Sequence, residues 1–198
     1  MNKGNLFVIS GPSGTGKGTV CEEILKLEPI FLSVSATTRE RRNNEVDGVT
    51  YNYTTKEQFK RMIDNDEMLE WAVYGNNYYG TPKKNVENLL EQGKNVLLEI
   101  EPQGALKVKN LMPEAFLIFL IPPSMKELKK RLSERGRENE EQIKTRLEAA
   151  AWEMNQAPKY NEIVVNDKLD ICVEHIIKII HKRNEKTMEL ERLLNEKI

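Results

Sequence analysis

The chain has 198 residues, of which 30 are Lys or Arg and 31 Asp or Glu, for a formal net charge of −1. That length carries one sizeable core with a modest insertion, and the charge balance excludes bulk electrostatic attraction to nucleic acid or an anionic membrane, so any anion site must be local. No stretch approaches the roughly 18 consecutive apolar residues of a membrane span, no signal-peptide pattern opens the chain, and Cys21 and Cys172 lack CxxC or His companions, which reads as a cytoplasmic protein with two reduced core thiols.

In chain order, the apolar run Leu6–Ile9 predicts a strand covered on both faces, and Val20, Cys21, Ile24 and Leu27 predict the helix after it. Between them Gly11 to Lys17 fits the pattern GxxxxGK. In such a loop the backbone N–H groups of Gly11, Pro12 to Thr15 and Gly16 (Ser13, Gly14 and Thr15 among them, proline itself having none) surround phosphate oxygens. The helix N-terminus adds positive potential, and Lys17 reaches the β and γ phosphates. A nucleoside triphosphate site running on through Gly18 and Thr19 is the expectation. Gly18 stands where Ser or Thr is usual. Either Thr19 supplies a hydroxyl to Mg²⁺, or the ion is held mainly by phosphates and water, which suits an ion that dehydrates reluctantly.

A strand over Leu32–Val34 leads into a region of different texture, residues 36–92. Val49, Tyr51 and Tyr53 alternate with polar residues, as do Leu69, Trp71 and Val73, and Gly75-Asn76-Asn77 makes a turn before Tyr78-Tyr79. This predicts a small, partly antiparallel sheet inserted into the core. Arg39 and Arg42 offer guanidinium forks, and Tyr51 and Tyr79 offer hydroxyls, a set suited to clamp a phosphate monoester. Further strands are predicted at Val96–Ile100, Phe116–Ile121 and Ile163–Val165. Helices are predicted after the capping box Ser124-Met-Lys-Glu127, over Glu140–Met154, and from Leu169 towards the C-terminus. The fold class is α/β, a parallel sheet with helices on both faces. His175 and His181, on the last helix without a motif partner, read as surface residues.

Beyond these single readings, the segments SATTRERR (35–42), EVDGVTYNY (45–53), EWAVYGNNYYGTP (70–82), LEIEPQGA (98–105), FLIPPS (119–124), RLSERGRENEEQIKTRL (131–147) and VVND (164–167) follow one another in the order found in guanylate kinases. Over about residues 4 to 182 the chain resembles that family. The resemblance implies a P-loop kinase that passes a phosphoryl group from MgATP to GMP, and to dGMP, by direct in-line transfer. It implies a catalytic domain at 4–184, with a GMP-binding insertion at 36–92 and a lid at 131–148, followed by a helical extension at 185–198. Glu70 would take the N1–H and 2-amino donors of guanine, with Ser35, Thr81 and Glu101 completing the base pocket and Gly80 beside them. Arg39, Arg42, Tyr51 and Tyr79 would hold the phosphate. Adenine lacks the 2-amino donor and presents an acceptor at N1, and hydrogen-bond readout of this kind rejects a wrong substrate by about 10⁴-fold.

Arg131, Arg135 and Arg146 would close over the triphosphate and the migrating group, Arg137 has no matching role, and Asn166 would border the adenine ring. Glu101 stands where many relatives have Asp. Glu99, earlier on the same strand end, would help to order metal-bound water. Two rivals stand beside this reading: a kinase for another nucleoside monophosphate, and a guanylate-kinase-like interaction module whose nucleotide site has decayed. Intact Lys17, Arg131, Arg135 and Arg146 argue against the second. Met188, Leu190, Leu193 and Leu194 form an apolar stripe that packs on the body or on a second subunit, so monomer and homodimer both remain open.

Overall fold

The computed structural model describes residues 3–134 and 140–195. In chain order its elements are β1 (Leu6–Ser10), α1 (Lys17–Leu27), β2 (Ile30–Leu32), β3 (Ala36–Thr37), β4 (Asn52–Tyr53), α2 (Lys56–Asp64), β5 (Met68–Tyr74), β6 (Asn77–Pro82) and α3 (Lys83–Glu91). Then come β7 (Asn95–Glu99), α4 (Pro102–Leu111), β8 (Phe116–Ile121), α5 (Met125–Glu134), α6 (Glu140–Met154), β9 (Glu162–Val165) and α7 (Leu169–Asn195).

The near-continuous apolar runs pair as expected of strands buried on both sides: β2-β7-β1-β8-β9 form one all-parallel sheet. Period-two alternation divides β1 between two cores. Phe7 and Ile9 pack with Val20 and Ile24 of α1 and Val173, Ile176 and Ile180 of α7, while Leu6 and Val8 pack with Val86 and Leu90 of α3 and Ala105 and Val108 of α4. Cys21 and Cys172 are free and buried in the first of these cores. The chain leaves β1 through α1 towards β2, and leaves β7 through α4 towards β8 on the opposite side. The connections therefore diverge between β1 and β7, and ligand crevices in open α/β sheets form at the carboxyl ends of such strands.

The insertion has its own sheet, β4-β3-β6-β5, in which β5 and β6 make an antiparallel hairpin while β3 and β4 run parallel. Its small core centres on Phe59, Met68 and Ala36. Several expectations need correction. The strand expected at Leu32–Val34 lies earlier, at Ile30–Leu32. The alternation of Val49, Tyr51 and Tyr53 yields strand only at Asn52–Tyr53, because the Thr50 and Gly48 amides close a turn on Val46 and Tyr51. Helices α2 and α3 were not expected within the insertion. Yet Thr55 to Gln58 is a complete capping box, with each side chain bonded to the other's backbone N–H at 3.1 Å. At α5 only the serine half forms: Ser124 accepts from the Glu127 N–H at 3.1 Å, while the Glu127 carboxylate accepts from Arg131 instead.

The last helix runs unbroken through 185. Thr187 donates to Asn5 at 3.0 Å, which fastens the start of the extension to the body, whereas Met188, Leu190 and Leu193 are exposed; the side chain of Leu194 lies outside the described residues. His181 is exposed as expected, but it does have a partner: Glu28, the residue after α1, at 2.9 Å. Among the described residues no helix is long and apolar enough to cross a membrane.

Candidate active site

The loop between β1 and α1 wraps the start of the helix. Gly16 caps α1 at φ 90°, a left-handed conformation that costs glycine little, and a Cβ there would stand 2.6 Å from the Asn166 amide nitrogen. That nitrogen donates to the Thr15 carbonyl at 2.8 Å, and the Thr15 hydroxyl donates to the Pro12 carbonyl at 2.8 Å, so the loop is braced from inside. Asn166, expected beside the adenine ring, thus also supports the loop's shape. Lys17 is 8% exposed and its ammonium donates to the Gly11 carbonyl at 2.6 Å and the Pro12 carbonyl at 3.3 Å. Beside the loop opens a cleft of about 380 Å³ lined by Gly14, Gly16, Thr19, Arg131, Glu134, Asn166, Asp167 and Leu169.

Across the sheet ends lie the residues expected to take the acceptor. Glu70, on β5, is 7% exposed and accepts from the Thr81 hydroxyl of β6 at 2.8 Å. Burial raises its carboxyl above the ordinary glutamate range, and the Thr81 hydrogen bond and the Lys107 charge pull it partly back. Room for this carboxylate comes from Gly104 on α4, where a Cβ would stand 2.6 Å from Glu70 Oε2. Gly80, buried in β6, lies against Glu70 and Trp71, and Ser35 is half-buried at the start of β3.

The expected phosphate clamp is brought together with an organiser that the sequence reading missed. Arg39 makes a two-pronged pair with Glu45, Nη2 to Oε1 at 2.7 Å and Nη1 to Oε2 at 3.0 Å, and its guanidinium lies 5.6 Å over the Tyr51 ring and 6.0 Å over Tyr53. Glu45 also accepts from the Arg42 backbone N–H at 2.8 Å and the Tyr53 hydroxyl at 2.8 Å. The Arg39 guanidinium holds the Glu45 carboxyl down at about 2. Tyr51 and Tyr79 meet edge to face at 6.0 Å, and the Arg42 side chain is exposed. Arg39, Tyr51 and Tyr79 therefore face one another, while Glu45 fixes the segment that carries them.

At the end of β7 the strand stops with Glu99, and Glu101 is the residue that opens α4, so strand alternation does not govern the pair. Both carboxylates feel Lys17. Glu101, largely exposed, lies 3.6 Å from the ammonium, and Glu99 is held above its ordinary range chiefly by the protein walls around it, with Lys17 acting the other way. Glu99 is exposed at the end of β7 but is desolvated by its neighbours, and its two oxygens stand 3.6 and 3.7 Å from where a Cβ of residue 18 would be. Among the described residues no three His, Cys, Asp or Glu side chains converge as a metal cage. An ion that keeps its water shell fits this arrangement: Thr19 lines the donor cleft, and Glu99 faces the bare Gly18 Cα with water-sized room between.

Of the expected lid arginines, Arg131 lines the cleft and donates from Nε to Glu127 at 3.1 Å. Arg146 reaches from α6 to the donor loop, Nη1 to the Ser13 hydroxyl at 3.1 Å. Arg135, and Arg137 beside it, lie outside the described residues.

The sequence model of one protein family, guanylate kinase, matches residues 3–183. The chain belongs to the guanylate kinase family. It is 55% identical over 181 residues to the guanylate kinase of Clostridium perfringens strain SM101, a match covering 90% of this chain and 83% of the relative. Against the guanylate kinase of Halalkalibacterium halodurans it is 48% identical over 191 residues, 94% of either chain. Among solved structures, the guanylate kinase from Anaplasma phagocytophilum superposes with a TM-score of 0.75 at 33% identity, covering 92% of this chain and 87% of that one. TT1252 from Thermus thermophilus, at 16% identity and a TM-score of 0.52, shares the fold.

A guanylate kinase fold thus carries the chemistry of a nucleoside monophosphate kinase here, and it brings in residues that the motifs alone did not single out. Glu153 of α6 is half-buried and faces Glu101 and Lys17. Burial first, then the Glu101 charge, raises its carboxyl to about 7 against the pull of Lys17. Glu45 lay inside a quoted motif without a role, and only the folded loop shows that one carboxylate gathers Arg39, Arg42 and Tyr53.

Proposed function

We propose that the chain catalyses MgATP + GMP = ADP + GDP, with residues 11–19 holding the donor and the insertion at 36–92 selecting the acceptor. The observation that carries the reading is the buried Glu70 carboxylate, bonded to Thr81, given room by Gly104, and close enough to feel the charge of Glu101, which itself lies 3.6 Å from the Lys17 ammonium. A carboxylate accepts from guanine N1–H and the 2-amino group, while hydroxyls such as those of Ser35 and Thr81 serve O6. AMP would leave a buried acceptor facing another acceptor. Glu101 borders this pocket and the Lys17 ammonium.

On the phosphate side, Arg39, Arg42, Tyr51 and Tyr79 hold the GMP phosphate, with Gly80 letting the hairpin pass close by. When the phosphate arrives, Arg39 shares its fork between Glu45 and the ligand. Lys17 exchanges the Gly11 and Pro12 carbonyls for phosphate oxygens, and Arg131, Arg135 and Arg146 set positive charge along the migrating group. A GMP phosphate oxygen is the nucleophile, and no side chain forms a covalent bond. Thr19, and Glu99 through water, would hold Mg²⁺, which would neutralise phosphate charge when bound. Residues 4–184 form the catalytic unit, 131–148 the lid and 185–198 an appended segment. The reduced thiols Cys21 and Cys172 accord with work in the cytoplasm.

The test is diphosphate formation from MgATP with GMP, dGMP, AMP, CMP and UMP supplied separately. GDP and dGDP as the products, with the other three inert, is the expected result. Turnover with AMP or a pyrimidine nucleotide at comparable kcat/KM would overturn the assignment of Glu70, and binding of GMP without turnover would favour an interaction module.

A further inference from the structure

One guanidinium joins three parts of the molecule that are remote in sequence. From α6, Arg146 donates through Nη1 to Ser13 on the donor loop at 3.1 Å and through Nη2 to the phenol oxygen of Tyr74 at 3.4 Å. Tyr74 is the last residue of β5, at the tip of the insertion hairpin, and 69% of it is exposed. A tyrosine so exposed adds little to a core, and among the described residues the contact to Arg146 is the one hydrogen bond of its hydroxyl.

The same strand carries Glu70. Pairing with β6 runs without a break from Glu70↔Thr81 to Tyr74↔Asn77, so the two residues sit on one regular strand, four apart and therefore on the same face. Their Cα atoms are about 13 Å apart at about 3.3 Å per residue. A strand hydrogen-bonded along its length moves as a unit, so whatever fixes Glu70 also fixes the reach of Tyr74 towards α6. We propose that Tyr74 is a positioning residue that couples capture of the acceptor base at Glu70 to the placement of Arg146 beside the donor loop. The proposal rests on the reading above that Arg146 serves phosphoryl transfer. It explains why a hairpin concerned with base selection ends in a hydroxylated aromatic that touches the donor half. A hydrogen bond from a cation at 3.4 Å in partly solvated surroundings is weak, so the coupling is modest.

The experiment is a double-mutant cycle in steady-state kinetics with Tyr74→Phe, Arg146→Met and the double variant, alongside GMP binding without ATP and thermal melts. Tyr74→Phe should lower kcat about 3- to 10-fold, a loss in the range of one ordinary net hydrogen bond, as suits a long contact, while GMP affinity in the absence of ATP and Tm stay at the wild-type values. In the Arg146→Met background, Tyr74→Phe should have no further effect, because the partner of its hydroxyl is gone. Wild-type kcat in Tyr74→Phe, an equal loss in both backgrounds, or a loss that tracks a lowered Tm would each overturn the coupling. The two failures separate: if Arg146→Met keeps full turnover, the reading of Arg146 itself is wrong. If Arg146→Met is slow while Tyr74→Phe is not, only the coupling is wrong.

Discussion

Replacing Glu70 by Gln removes a charge and almost nothing else. The side chain is 7% exposed, one oxygen accepts from Thr81 at 2.8 Å, and the other lies against the bare Gly104 Cα. Gln keeps the volume and an acceptor for Thr81. It loses the ionic acceptor for the guanine donors, and a hydrogen bond to a charged group contributes about 1.5–3 kcal/mol, so the GMP KM should rise roughly 10- to 100-fold. The Lys17 loop is untouched, so the ATP KM at saturating GMP should change by less than about 2-fold. Stability should move the other way. Burial holds the Glu70 carboxyl above its unfolded range, so the folded state favours the proton. That contribution is fully present below the unfolded value and is lost as pH rises through the folded value. At pH 7 the ionised group is a cost that Gln does not carry. The ligand-free variant should therefore melt no lower than wild type at pH 7, with any gain shrinking as the pH falls towards the carboxylate range. Measuring both KM values with a coupled ADP assay, together with melts at several pH values, checks both halves. An equal rise in the GMP and ATP KM values would refute the placement of Glu70 at the base, and a clearly lower Tm at pH 7 would refute the burial argument.

Lys17→Ala should lower turnover by about 10²- to 10³-fold, since a preorganised positive charge on the migrating group is lost, with the melt and GMP binding retained; near-normal turnover would dismiss the loop assignment. Gly104→Ala puts a Cβ 2.6 Å from Glu70 Oε2 and should weaken GMP binding while sparing ATP binding, as read by calorimetry with each nucleotide. The Glu153 carboxyl, raised to about 7, contributes stability that is lost as pH rises through neutrality. Between pH 6 and 8 the ligand-free wild type should therefore lose more Tm than Glu153→Gln, and parallel melting curves would show that Glu153 does not titrate there.

The amino-acid sequence by itself determined the elements whose physics is local. Short apolar runs at Leu6–Ile9 and Phe116–Ile121 read as strands because burial on both faces leaves no alternation, and GxxxxGK between strand and helix named the donor loop because few other uses need those glycines. The capping box at Thr55 is an equally local signal, since Thr and Gln three residues apart satisfy each other's backbone N–H. The residues proposed for the acceptor stand out through ordered motifs, not through chemistry alone, since an exposed strand carboxylate and Glu70 look the same in a string of letters. Only tertiary structure decided that Glu70 is buried, because its burial is made by Thr81 on the neighbouring strand and Gly104 on a helix some thirty positions on. The same holds for Glu45 gathering the clamp, for Asn166 bracing a loop 151 residues away, and for Arg146 bridging Ser13 and Tyr74. These contacts join residues far apart in the chain. No periodicity or spacing encodes them, because they exist only once the sheet order and the insertion have brought the remote segments within hydrogen-bond reach.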